Sequence, residues 1–349
     1  MIENDYQTEV LMLKRILSKS ACSSLLLVLM LSILAACGNA GAGTKPSNET
    51  ASPSLASTTS AAPAEQASKR VYKDAISREV EIPAHPTRIA AHYFAAEMKA
   101  LNGPLIGTNF LNAKLSLTPE QLTGITDIGG DGVNPNAEKL VALDPDLIIL
   151  PNFLDQKVVE AVSKIAPTVV MNYSEDTFTR LKKLGDVAGV QGASDKWLSA
   201  YDAKVKKKRE EVSSIVKEGT TATAFVLHSD KKLYVYGTQR LGPTMYDALG
   251  FKQSDKVKQL FANEPNALWK EISLEVLPEY AADHIFIVSS KMDGKTVPEM
   301  DDLLSSPIWK NVPAVKNGKA HVVGTRWGLN DPLTLDWLLD EMPKVLLQK

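Results

Sequence analysis

The sequence predicts an α/β body of two Rossmann-like lobes bridged by one long helix, and three observations carry that prediction. From residue 88 onward, short β-rich runs alternate with segments of helical spacing. The phrase Glu138-Lys-Leu-Val-Ala-Leu-Asp-Pro-Asp146-Leu-Ile-Ile returns as Glu275-Val-Leu-Pro-Glu-Tyr-Ala-Ala-Asp283-His-Ile-Phe, with both acids displaced by 137 residues. Between the copies, residues 195–216 contain neither Gly nor Pro, enough for about six helical turns.

The chain before this body reads as an export signal and a tether. Lys14, Arg15 and Lys19 precede the apolar run Leu25-Leu-Leu-Val-Leu-Met-Leu-Ser-Ile-Leu34. Ten residues are half of the ~20 that span a bilayer, so this is a signal core and not a membrane helix. Leu34-Ala35-Ala36-Cys37 resembles the lipobox of bacterial lipoproteins. That resemblance implies a signal peptide over 1–36 and a diacylated Cys37 that anchors the mature chain to the membrane. Met1 and Met12 are both acceptable starts, because Met12-Leu-Lys-Arg itself opens a normal signal. Residues 37–69 are dominated by Ala, Ser, Thr, Gly and Pro, with too little apolar bulk to offset the entropy of ordering them.

The chain as a whole has the composition of a folded protein. Its 349 residues are 44% hydrophobic and 23% charged, with a formal net charge of −2. Near-neutrality argues against nucleic-acid binding, which needs a basic excess to displace counterions. Cys22 and Cys37 both lie before residue 70, so the body has neither a disulfide nor thiol chemistry. Strands are expected over 88–93, 105–108, 147–150, 168–171, 222–227, 233–236, 284–288 and 321–323. Apolar runs of this length, bounded by Pro, Asn and Gly, suit a mostly parallel sheet buried under helices. Helices are expected over 94–101, 136–143, 156–165, 175–188 and 332–347. The lobes are thus placed at 70–192 and 218–349, with the bridging helix at 193–217. Leu198, Tyr201, Val205, Val212 and Ile215 give that helix an apolar stripe, with Lys206, Lys207, Lys208 and Arg209 turned to solvent. A single stiff rod there limits closure of the lobes to small angles.

Four phrases carry a more specific resemblance. They are Asp74-Ala-Ile-Ser-Arg-Glu-Val-Glu-Ile-Pro-Ala-His-Pro-Thr-Arg-Ile-Ala90, Pro135-Asn-Ala-Glu-Lys-Leu-Val-Ala-Leu-Asp-Pro-Asp-Leu-Ile-Ile149, Ile272-Ser-Leu-Glu-Val-Leu-Pro-Glu-Tyr-Ala-Ala-Asp-His-Ile-Phe286 and Ser306-Pro-Ile-Trp-Lys-Asn-Val-Pro-Ala-Val-Lys-Asn-Gly318. In order and spacing they resemble the ferric-siderophore and vitamin B12 binding proteins of ABC importers. The resemblance implies a class III periplasmic-binding-protein architecture and a cleft that captures an iron chelate for a membrane permease. No resident cofactor is implied, and a monomer on the extracytoplasmic face of the cell membrane is expected. The chain lacks Gly-x-Ser-x-Gly, a Walker loop, Gly-x-Gly-x-x-Gly after a strand, and His-Glu-x-x-His. A receptor is therefore favoured over the enzymatic alternative, a surface hydrolase with spatially assembled carboxylates.

In open α/β sheets ligands sit at the carboxyl ends of strands, which selects the loops after each strand. The first lobe offers His92, Tyr93, Asn109, Phe110, Lys114, Asn134, Asn152 and Phe153, and the second offers His228, Tyr236, Gln239, Arg240, Arg326, Trp327 and Asn330. A siderophore already fills the coordination sphere of its iron, so the protein needs cations and aromatics. The candidate binding set is Tyr93, Lys114, His228, Tyr236, Arg240, Arg326 and Trp327, with Arg326 and Trp327 foremost. Lys114 stands where a catecholate-binding subset of the family places a lysine, but Gly132 stands near a second basic position of that subset. This favours citrate-hydroxamate or hydroxamate chelates. Haem, with Tyr93 or His92 as axial ligand, and cobalamin are the alternatives. Direct metal capture is disfavoured, because the five histidines, 85, 92, 228, 284 and 321, are scattered. The resemblance also implies one exposed acid per lobe for docking to a permease dimer, Glu97 in the first and Asp247 in the second.

Overall fold

The computed structural model describes residues 68–348 apart from 131, 229, 290, 293, 294 and 297, with backbone alone over the rest of 291–296. The expected signal peptide, Cys37 and nearly all of the expected tether lie outside the described residues. The tether expectation needs one correction, because an ordered hairpin begins at Lys69. Its strands, β1 (Lys69–Lys73) and β2 (Glu79–Pro83), pair antiparallel. Exposed and covered residues alternate along both, as on a ribbon with one face against the body. The Asp74 carboxylate closes the turn, accepting from the Ile76 and Arg78 amides and pairing with the Arg78 guanidinium at 2.8 Å.

The first lobe follows the expected alternation. Its elements are β3 (Ile89–Ala91), α1 (Ala95–Ala100), β4 (Leu105–Thr108), α2 (Phe110–Ala113), β5 (Thr126–Asp127), α3 (Ala137–Leu143), β6 (Leu147–Pro151), α4 (Gln156–Val162), β7 (Thr168–Met171) and α5 (Thr177–Val187). The five strands form one parallel sheet in the order β5-β4-β3-β6-β7. β3, β6 and β7 are buried along their whole length, which explains their continuous apolar runs. Asn109, Asn136, Asp155 and Asp176 cap α2, α3, α4 and α5 through side-chain oxygens that accept first-turn amides.

The bridge is α6 (Ala193–Glu211), which ends six residues before the expected 217. Val212 is fully buried in the core of the second lobe, and the chain turns there to enter the next strand. Trp197 packs against the cores of both lobes and stacks on Tyr201 at 5.2 Å, so the helix is bonded to each. Two of the four residues expected in solvent are instead engaged. Lys208 pairs with Asp340 at 3.3 Å, and Arg209 Nε donates to the Ala248 carbonyl at 2.8 Å.

The second lobe comprises β8 (Thr221–Leu227), β9 (Leu233–Tyr236), β10 (Lys252–Gln253), α7 (Asp255–Phe261), β11 (Trp269–Ile272), α8 (Leu277–Tyr280), β12 (His284–Ser289), the hairpin β13 (Lys291–Met292) and β14 (Lys295–Thr296), α9 (Pro298–Ser305), α10 (Pro307–Asn311), α11 (Pro313–Lys316), β15 (Ala320–Gly324) and α12 (Pro332–Leu347). The main sheet runs β11-β9-β8-β12-β15, with β10 pairing the start of β8. It is less parallel than expected, because β9 folds back antiparallel on β8. The connection of five residues between them is too short for a crossover, which needs about a dozen.

The repeated phrase has a shared structural role. Asp146, at the foot of β6, accepts from the Thr87 amide and hydroxyl just before β3, at 2.7 and 2.9 Å. Asp283, at the foot of β12, accepts from the Thr221 amide and hydroxyl at the start of β8, at 2.9 and 2.8 Å. In each lobe the acid ties the second central strand to the first.

At the same end of the second sheet, His284 is buried with neither ring nitrogen hydrogen-bonded among the described residues, its ring stacked 6.3 Å from His321. Burial pushes the His284 pKa down to about 4. The unfolded chain then binds the proton more readily, so stability is unaffected above pH ~6.5 and falls as pH drops from there toward about 4, by up to about 3 kcal/mol. His284→Phe, beside Phe251, is expected to flatten this slope in melts taken between pH 7 and 4. An unchanged slope contradicts the assignment.

Candidate functional site

Strand order runs outward in both directions from β3 in the first lobe and from β8 in the second. Connections leaving such a strand on opposite sides open a crevice at its carboxyl end. His92 and Tyr93 follow β3, and His228 follows β8.

Three aromatic residues of the first lobe occupy one repeated position. Tyr93, Phe153 and Tyr173 each stand two residues past the end of a strand, β3, β6 and β7 respectively. Adjacent parallel strands bring them together edge to face, with centroids 5.1 Å apart for Tyr93–Phe153, 5.9 Å for Tyr93–Tyr173 and 5.3 Å for Phe153–Tyr173. Phe153 keeps 39% of its surface exposed at the rim. Sequence reasoning named Tyr93 and Phe153 and missed Tyr173, although the same spacing after β7 pointed to it. His92, beside them, is fully buried and bonded through Nε2 to the Val133 carbonyl at 2.8 Å. Burial holds its pKa down at about 4, so it is a neutral structural imidazole.

The facing wall comes from the second lobe. β11 pairs with β9 so that Trp269 lies opposite Tyr236. The Trp269 ring is 6.2 Å from Tyr236, 5.8 Å from Tyr234 and 5.6 Å from the half-exposed His228. Trp269 and Tyr234 also escaped the sequence reading, since only the register of a short polar strand brings Trp269 to this place. Arg240 lies over the Trp269 ring at 5.3 Å. Its φ of 61° is left-handed, a conformation that costs a non-glycine residue roughly 1–2 kcal/mol. Nη1 donates to the Gly328 carbonyl at 2.9 Å, while Nε has no hydrogen-bond partner among the described residues. Such strain is retained where the surrounding structure imposes it for a purpose. A Cβ at Gly328 would stand 2.7 Å from the Tyr236 hydroxyl, so any larger residue there must displace that phenol.

The two walls share one electrostatic environment. Burial raises the Tyr173 phenol pKa, while the charge of Arg240 across the cleft pulls it down. Burial pushes the Tyr236 phenol up to about 12. Between the lobes a cavity is lined by Tyr93, Glu97, Tyr173, Arg180, Asn330 and Asp331, among others. No group of three or more His, Cys, Asp or Glu among the described residues is arranged to hold a metal ion.

Two expectations, for Trp327 and Glu97, are corrected, and two further candidates, Arg326 and Lys114, have aromatic partners of their own. Trp327 is 6% exposed and stacks on Phe286 at 5.9 Å, so the turn after β15 directs it into the core. Arg326 stacks 4.4 Å over the Trp337 ring of α12. Lys114 stands at the end of α2, its ammonium 5.4 Å over the Phe110 ring. Glu97 is 2% exposed and paired with Arg180 at 2.7 Å, which removes it from the docking surface expected for it. Asp247 is exposed, on a π-helical turn (Pro243–Ala248) held by Arg209. Of the candidate ligand residues, Tyr93, His228, Tyr236 and Arg240 are thus placed on the two walls.

These walls suit a bulky, largely apolar guest with a few oxygen acceptors. Aromatic faces pack its body and one fixed guanidinium supplies charge-assisted hydrogen bonds. The raised phenol pKa values keep Tyr173 and Tyr236 protonated, as hydroxyls able to donate.

Comparison with known proteins fits this geometry. A family model for periplasmic binding proteins matches residues 117–325. The iron(3+)-hydroxamate-binding protein YxeB of Bacillus subtilis (strain 168) is 30% identical over 305 residues, covering 85% of this chain and 87% of that protein. The iron(3+)-hydroxamate-binding protein FhuD of the same organism is 30% identical over 321 residues, covering 90% and 93%. Among solved structures, FhuD2 from Staphylococcus aureus with bound ferrioxamine B superposes with a TM-score of 0.65 at 29% identity, over 75% of this chain and 98% of that one.

Proposed function

The chain belongs to the periplasmic binding protein family, and from that premise we propose that it is the extracytoplasmic receptor that captures a ferric siderophore and delivers it to an ABC permease. Hydroxamate and citrate-hydroxamate chelates are its favoured class. The observation that carries this reading is the pair of aromatic walls, with Arg240 fixed in the second of them. A tris-hydroxamate complex brings its iron fully coordinated and nearly neutral, and asks of the protein apolar contact and a few donors. A triply anionic tris-catecholate asks for several free cations, which these walls do not gather. The relatives that bind iron(3+)-hydroxamates and ferrioxamine B support the same choice. The protein acts as a carrier without catalysis or a resident cofactor.

The test is a titration of the apo protein with ferrioxamine B, followed by quenching of tryptophan fluorescence. Trp269 stands in the wall as reporter. A dissociation constant between nanomolar and micromolar, roughly −12 to −8 kcal/mol, is expected. Quenching by haem or cobalamin, with no response to any ferric chelate, contradicts the proposed ligand class.

Membrane attachment through lipidated Cys37 belongs to the same reading. Cys37→Ser is expected to release the body into the medium or to leave an unprocessed precursor, read by fractionation, and unchanged membrane association contradicts it. In this reading the second lobe presents the exposed Asp247 to the permease. Each exposed ion pair contributes only about 0–1 kcal/mol, so both lobes must engage together.

A further inference from the structure

The loop after β15 is held from both lobes, and the centre of that hold is buried. Arg180, on α5, is 1% exposed. A guanidinium carries five N–H donors in a rigid fork, and here four hydrogen bonds and an ion pair engage it. Nε and Nη2 both reach Glu97 Oε1 on α1, at 2.9 and 2.7 Å. Nη1 donates to the Tyr173 and Glu175 carbonyls, each at 2.9 Å. Nη2 also donates across the lobes to the Asn330 carbonyl.

Neighbouring contacts extend the path. The Thr177 hydroxyl donates to Asn330 Oδ1 at 2.9 Å, and Asn330 Nδ2 donates to Gln239 Oε1 at 3.3 Å. Gln239 precedes Arg240, whose Nη1 reaches the Gly328 carbonyl in the same loop. An unbroken chain of bonds therefore runs from α1 through α5 and residues 328–331 to the strained arginine of the cleft.

We infer that Glu97, Arg180 and Asn330 form an inter-lobe clasp that positions the 328–331 loop, and through Gly328 the Arg240 guanidinium, for capture of the chelate. Glu97 and Arg180 act in this as positioning residues, through the loop and Arg240. A buried ion pair is weak evidence of stability, because apolar residues of similar volume often do as well. What apolar residues cannot do is fix a carboxylate, two carbonyls of their own lobe and a carbonyl of the other lobe in one plane. Lysine cannot do so either, because its point charge lacks the fork. The inference rests on the receptor reading for what the loop serves, but the hold itself is independent of it.

The test uses the full chain with Arg180→Lys and, as a milder variant, Thr177→Val. Two quantities are read: affinity for ferrioxamine B by fluorescence quenching, and amide hydrogen exchange over residues 325–335 of the apo protein. Exchange in that segment is expected to rise about tenfold in Arg180→Lys and less in Thr177→Val, while β6, β8 and β12 keep their protection. Affinity is expected to fall about tenfold in Arg180→Lys. Wild-type exchange at 325–335, or an equal rise throughout both sheets, overturns the clasp. Faster local exchange with unchanged affinity overturns its positioning role. If the wild-type chain binds no ferric chelate, the receptor reading fails, while the exchange data still decide whether the clasp exists.

Discussion

Arg180→Ala is expected to lower the free energy of unfolding by about 3–5 kcal/mol, because it leaves the Glu97 carboxylate unpaired in a buried site. Burial raises the Glu97 pKa, and the Arg180 charge is the leading influence that lowers it again. Without that charge the folded protein holds the Glu97 proton more tightly than the unfolded chain does. The contribution of this site is then fully present below the ordinary glutamate pKa and lost as pH rises through the raised folded value. The penalty of Arg180→Ala is therefore smallest near pH 4 and largest at neutral pH. Removing both charges, Glu97→Leu with Arg180→Met, is expected to restore much of the loss. Urea denaturation at several pH values checks this, and a penalty below about 1 kcal/mol at pH 7 contradicts it.

Arg240→Ala is expected to weaken chelate binding by roughly 1.5–3 kcal/mol, the worth of hydrogen bonds to a charged group, or about 10- to 150-fold. The substitution also removes a side chain from a left-handed backbone position. Arg240→Gly isolates the two effects. Glycine adopts this conformation freely, so the variant is expected to match or exceed wild-type stability while binding as poorly as Arg240→Ala. Titration and thermal melts on the same samples measure both. Binding close to wild type by Arg240→Gly removes the guanidinium from the recognition surface.

Much of the body was legible because its strands are buried on both faces. The runs at 105–108, 168–171 and 233–236 are strands with the expected ends, as is the helix at Pro332–Leu347. What escaped the sequence was what depends on partners distant in the chain. β1, β2 and β11 are short, half-covered ribbons with polar residues, so no continuous apolar run announces them. The antiparallel return of β9 was legible in its short connection, yet its apolar run alone reads like a buried parallel strand. Site residues followed the same division. Tyr93 and Phe153 were found by the strand-end rule, which also marks Tyr173. Trp327 follows a strand end equally closely, but the turn it occupies directs it into the core. Glu97 looks like a solvated helix acid until Arg180, 83 residues away, is folded against it.

The central claim is that a ferric chelate sits between the two aromatic walls. It is tested most directly by anomalous diffraction at the iron absorption edge from crystals grown with ferrioxamine B. A single iron peak is predicted between the Tyr93–Phe153–Tyr173 cluster and the Trp269–Arg240 wall, with chelate oxygens within hydrogen-bond reach of Arg240. An iron peak elsewhere on the molecule, or iron ligated directly by protein side chains, contradicts the account.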